Sequence, residues 1–150
     1  MKKRAKSFVL AIIFAVAMLV GAVTPAKQAW AGGECGSSYA LVGNYAMYNE
    51  IFTKRTGTLE IYWSNSAGRN CAIARAYGDN YGKRLWREVY LKLSSSSTVY
   101  SDKGYFYYYA GPVYSPPSAG KCIDAQGNFY TNSSRSNLVG RKVISNAHCG

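Results

Sequence analysis

The stretch YFYYYAGPVYSPPSAGKC, Tyr105 to Cys122, decides the fold class. Five consecutive aromatics, Tyr105 to Tyr109, run into Gly111-Pro112 and then Pro116-Pro117. Aromatic side chains suit a pleated, half-buried surface, and five of them predict a β-strand. In that strand Tyr105, Tyr107 and Tyr109 take one face, and Phe106 and Tyr108 the other. Proline lacks the backbone donor that a ladder needs, so pairing should stop or move to a sheet edge after Ala110. Cys122 follows and can pin the segment covalently.

Working outward, the flanks read as further short strands. Upstream, Asp102-Lys103-Gly104 reads as a hairpin loop feeding the aromatic strand, preceded by Thr98 to Ser101. Trp86 to Leu93 is the next strand back, with Val89, Leu91 and Leu93 inward and Glu88, Tyr90 and Lys92 outward. A helix is its competitor, because Leu85, Val89 and Leu93 also fall at i, i+4, i+8. The β character of the neighbours favours the strand. Thr58 to Ser64 alternates, with Leu59, Ile61 and Trp63 on one face. It turns through Asn65 to Gly68 and returns through Asn70 to Tyr77. There Ala72, Ala74 and Ala76 share a face, which implies close approach of another layer. Tyr39 to Met47 is the first candidate strand. Downstream, Gln126-Gly127-Asn128 reads as a hairpin turn between Lys121–Ala125 and Phe129–Thr131, and Leu138 to Ile144 as a last strand. Short strands at this spacing predict an all-β domain, a small antiparallel β-sandwich or barrel.

The N-terminus reads as an export signal. Lys2, Lys3, Arg4 and Lys6 precede an uncharged apolar run from Phe8 to Val23, and Ala29-Trp30-Ala31 supplies a small-residue cleavage site. Residues 1–31 are therefore expected to be removed, leaving 32–150 as one domain free of the membrane. No twin arginine is present, so the general secretion route is expected. Five of the 18 basic residues leave with the signal, so 13 remain against seven acidic ones, a formal +6 in place of +11. That charge fits a moderately basic secreted domain, and no nucleic-acid partner is expected.

All four cysteines, Cys35, Cys71, Cys122 and Cys149, lie in the exported part. An even count there predicts two disulfides. Three pairings exist and sequence leaves them open. Cys35–Cys71 with Cys122–Cys149 is preferred because each closes a moderate loop. No cysteine pair has short zinc-ligand spacing, and no metal or cofactor is expected. Catalysis is not expected either. His148 is the one histidine and sits beside Cys149 at the chain end, where a packing role suits it better than a general base. The seven carboxylates are scattered, and no G-x-S-x-G or H-E-x-x-H occurs. Asn132-Ser133-Ser134 matches a glycosylation acceptor within a polar stretch.

Four landmarks then combine: Glu34-Cys35-Gly36, YWSNSAGRNCAIA around Cys71, YYAGPVYSPPSAGKC before Cys122, and the terminal His148-Cys149-Gly150. Together they resemble the spore-associated protein A family of streptomycetes and other actinobacteria, over nearly the whole mature chain. The resemblance implies export and association with the cell or spore surface. It implies no reaction. One departure is the lack of an aromatic shortly after Cys122, where Ile123 to Gly127 carries none.

The functional expectation is therefore a secreted, non-catalytic protein associated with the cell or spore surface, with cell-wall or spore-envelope polymers as partners. Candidate binding residues are Lys83, Arg84 and Arg87, beside Tyr81 and Trp86. Cations would attract wall polyanions, and exposed aromatic faces would suit sugars. The alternative is a secreted protease inhibitor, with the proline-flanked loop Gly111 to Gly120 inserted in a protease cleft.

Overall fold

The computed structural model describes residues 33–149. The export signal expected at 1–31 lies outside them. Eight antiparallel strands make the body: β1 Ala40–Tyr48, β2 Arg55–Ser64, β3 Arg69–Ala76, β4 Leu85–Leu93, β5 Tyr100–Phe106, β6 Tyr109–Tyr114, β7 Ile123–Tyr130 and β8 Leu138–Ala147. Their order is β5-β4-β7-β8-β1-β2-β3-β6, a nearly closed barrel. The domain is thus all-β, and of the two shapes expected it takes the barrel.

The barrel has two weak seams. β8 meets β1 through the single bridge of Arg141 with Tyr48. β5 and β6 are consecutive, joined at Tyr107 and Tyr108, and across their seam the Gly111 N–H donates to Asp102 Oδ2 (2.8 Å). Between the seams each half is continuously laddered.

Alternation explains the core. Leu59 and Ile61 from β2, Ala72, Ala74 and Ala76 from β3, Val89 and Leu91 from β4, and Ala125 and Phe129 from β7 all turn inward. Of the three alanines, Ala74 faces the opposite wall at close range. A Cβ on Gly127 of β7 would lie 3.1 Å from the Ala74 methyl and 3.2 Å from Met47. Two small-residue positions thereby let the walls approach. A second apolar cluster, Cys35, Tyr39, Tyr62, Cys71 and Ile73, lies on the outside of β2 and β3 under the N-terminal segment.

Both preferred disulfides are formed. Cys35–Cys71 ties the N-terminal segment to β3, and Arg75 reinforces it with a two-pronged pair to Glu34 (2.7 and 3.0 Å) and a contact to Glu60 (2.9 Å). Cys122–Cys149 ties the start of β7 to the end of β8. Each bridge should contribute about 2–4 kcal/mol, chiefly by restricting the unfolded chain.

Three local expectations are corrected. Tyr105 to Tyr109 is not one strand: it divides between β5 and β6, and the chain turns at Tyr107-Tyr108. No residue there has strong turn preference. Donors from elsewhere hold the turn instead, namely the N–H groups of Gly82 and Ala76 and the Arg87 guanidinium. Asp102-Lys103-Gly104 is not a hairpin loop, since all three pair with β4 inside β5. An edge strand tolerates such residues, and Asp102 serves the seam. Gln126-Gly127-Asn128 is not a turn, since β7 runs unbroken through it, flanked by β4 and β8. Gly127 is there for wall approach. β6 continues through Gly111-Pro112, which its edge position permits. A Cβ on Gly111 would meet the Ala72 carbonyl oxygen at 2.7 Å, and its φ is +107°, so glycine suits that position.

Candidate functional site

The outer face of β5, β4 and β7 forms a grid because directly paired residues share a face. Its first row is Tyr105, Trp86 and Tyr130; its second is Lys103, Glu88 and Asn128; its third is Ser101, Tyr90 and Gln126. Four of the five sequence candidates border or belong to this grid. Lys83 and Arg84 are exposed in the loop before β4, Tyr81 is exposed just upstream, and Trp86 is half-buried in the first row. Arg84 lies 4.7 Å from the Tyr105 ring centroid, and Tyr105 packs edge-on against Trp86 at 5.2 Å. Tyr81 packs against Tyr108 at 5.0 Å. The result is a cation beside a short run of partly exposed rings, Tyr108 being exposed as well.

Arg87 departs from this set. It follows Trp86 in a strand, so it points to the opposite face, and its side chain is fully buried in the barrel. There the guanidinium lies 4.5 Å from the Phe129 ring centroid. It donates to the carbonyls of Phe106, Tyr107, Asn80 and Lys83 at 2.8–3.1 Å. Among the described residues no carboxylate partners it and Nη1 has no hydrogen-bond partner, and burial lowers its pKa to about 10. Arg87 thus shapes the loops that carry Tyr81, Lys83 and Tyr107 without reaching the surface.

Sequence reading missed the centre of the grid. Glu88 is buried, and its carboxylate accepts four hydrogen bonds from side chains. Oε1 takes Trp86 Nε1 (2.8 Å) and Arg135 Nε (2.5 Å). Oε2 takes the Tyr90 hydroxyl (2.8 Å) and Asn128 Nδ2 (3.2 Å). Burial alone would raise the Glu88 pKa; the four donors outweigh it and hold the carboxyl below its usual value. Burial, aided by the Glu88 contact, pushes the Tyr90 phenol up to about 12. Arg135 reaches this point from the loop between β7 and β8. The same loop donates the Ser133 N–H to the Tyr105 hydroxyl (3.1 Å), which holds that phenol below its usual value. Glu88 is therefore a fixed anion that orients its neighbours, with its lone pairs already used. The signal for it was the alternation of β4, but its partners come from β7 and a distant loop.

The inhibitor loop is placed differently from its expectation. Gly111 to Tyr114 is strand β6. Beyond it Ser115 and Ser118 are buried and hydrogen-bonded to Asn70, and the Ser118 N–H donates to the Gly68 carbonyl. The segment is fastened to the barrel wall, whereas cleft insertion needs a projecting loop. Among the described residues no group of three or more His, Cys, Asp or Glu side chains converges as a metal site would. His148 pairs with the Tyr45 hydroxyl (3.0 Å), a packing contact at the β8–β1 seam.

A curated relative, spore-associated protein A of Streptomyces coelicolor, is 28% identical over 115 residues, covering 77% of this chain and 69% of the relative. The chain resembles the spore-associated protein A family. No family model matches the chain, and no solved structure matches it.

Proposed function

We propose that the protein is an exported, non-catalytic binding domain that associates with the spore or cell surface through the outer face of β4 and β5. The observation that carries this is the Arg84–Tyr105–Trp86 stack, a cation and aromatic rings set side by side at the barrel surface. Such a stack combines long-range attraction for anionic polymers with short-range contact to sugar faces. The name of the Streptomyces relative supports spore association, and two disulfides suit an oxidising, extracellular setting. The N-terminal export pattern supports the same route.

The test is retention of the mature protein, residues 32–150, on purified cell walls and spores. Retention is expected at low salt. It should fall at 1 M salt, where screening lengths shrink from about 10 Å at 0.1 M to about 3 Å. The Lys83→Ala/Arg84→Ala variant should show the same fall without added salt. Arg87 is left intact because it is buried. Absence of retention at any salt would overturn the proposal.

A further inference from the structure

Below the Arg84 stack, the same sheet face holds a second and chemically different site. A shallow depression of ≈ 230 Å³ is lined by Glu88, Tyr90, Gln126, Asn128, Tyr130 and Arg135. Three features distinguish it from the cationic patch. Its one carboxylate, Glu88, is buried and paired to Arg135, and Lys103 stands at the edge with its ammonium 5.7 Å from the Tyr90 ring centroid. Its side chains are held in place before any ligand arrives: Glu88 fixes Trp86, Tyr90, Asn128 and Arg135, and the Gln126 amide donates to Asn128 Oδ1 (2.9 Å). Its remaining hydrogen-bonding groups are mixed. Among the described residues the Gln126 carbonyl oxygen and the Tyr130 hydroxyl meet no side-chain partner, and the Tyr90 hydroxyl already serves Glu88 and Arg135.

From this arrangement we infer that the Glu88 cradle is a subsite for a neutral pyranose unit of a glycan. An uncharged ring with hydroxyls on its rim and a C–H face is what such a lining matches. Tyr130 and Tyr90 present half-buried rings, Gln126 and Tyr130 supply an acceptor and a donor, and the pre-set geometry lowers the ordering cost of binding. The volume is that of one small ring, not of an extended ligand. The cradle goes beyond the proposed surface association, because its ligand is uncharged and its binding therefore resists salt.

The experiment is a titration of the mature, disulfide-linked protein with two neutral probes, β-1,4-linked N-acetylglucosamine tetrasaccharide and cellotetraose. The readout is the Asn128 side-chain amide resonance, whose Nδ2 donates to Glu88 and which lies outside the Arg84 stack. At least one probe should shift it saturably, with affinity changing less than about twofold between 0.1 and 1 M salt, since no net charge is screened. Tyr130→Ala should weaken binding about fivefold or more through loss of the ring, and Tyr130→Phe should retain most of it. Unaltered circular dichroism of the Tyr130 variants shows that they fold. The inference is overturned if neither probe shifts the resonance at millimolar concentration, if binding disappears at 1 M salt, or if Tyr130→Ala binds as well as the parent. Wall retention without glycan binding would remove the cradle and leave the surface proposal standing. Glycan binding without wall retention would do the reverse.

Discussion

At the scale of single residues, two buried charges set the shape of the proposed binding face from opposite sides of the sheet. Arg87 is inside, alone among apolar groups and carbonyl oxygens. Removing it strands four acceptors and opens a void, so Arg87→Ala should destabilise the fold by about 3 kcal/mol or more. Chemical denaturation checks this, and a loss under about 1 kcal/mol would show that the guanidinium does not hold the loops. Glu88 is outside, and its depressed pKa has a pH consequence. A carboxyl whose folded pKa lies below its unfolded value stabilises the fold above the unfolded value, and that contribution fades as pH falls through the folded one. Stability should therefore drop on acidification below the ordinary glutamate value of 4.5. Glu88→Gln should flatten that part of a melting-temperature profile taken from pH 7 to 3. A variant profile with the parental slope would assign the acid sensitivity to other groups.

At the scale of elements, the decisive case is β7. It lies between β4 and β8, yet its centre, Gln126-Gly127-Asn128, carries residues that ordinarily mark a turn. Backbone amides from Ala125 to Phe129 should rank among the slowest to exchange with deuterium, as in a core strand. Fast exchange at Gly127 would restore the hairpin. Gly127→Val should destabilise by about 1–3 kcal/mol, because the side chain would press on Ala74 and Met47. Alternation made β2, β3 and β4 legible in the sequence, including the choice of strand over helix for Trp86 to Leu93. It also showed the alanine face of β3. The places where reading failed share one cause. Gly127 answers to a wall across the barrel, Gly104 and Asp102 to an edge, and Tyr107-Tyr108 to donors from Arg87, Gly82 and Ala76. Local sequence carries none of those partners. The candidate site divided likewise. Tyr81, Lys83, Arg84 and Trp86 were visible as a cluster in sequence, whereas Glu88, Asn128, Tyr130 and Arg135 become neighbours only through β4–β7 pairing. Arg87 was misread as a surface cation because strand alternation was not applied to that cluster.

At the scale of the whole molecule, a barrel with two weak seams places its covalent bonds away from the proposed binding face. One disulfide fastens the N-terminal segment outside β3, and the other closes the ends of β7 and β8. The β5–β6 seam depends on the Asp102 carboxylate accepting the Gly111 N–H. Asp102→Ala should destabilise by about 1–2 kcal/mol in denaturant titration, and no measurable change would mean that the seam does not use that contact. The two sides of the barrel differ in chemistry. Around β2 and β3, Arg75 is consumed by Glu34 and Glu60, and tyrosines cover a disulfide. Around β4, β5 and β7, rings and cations remain open to solvent. The central claim is that the second side meets the envelope. Mapping by hydrogen exchange and nuclear magnetic resonance, with soluble fragments of purified cell wall added to the mature protein, tests it most directly. Protection and shifts should concentrate at Tyr81 to Trp86, Tyr105, Tyr108 and Tyr130; perturbation confined to the Tyr39–Tyr62 side, or none at saturating fragment, would contradict the account.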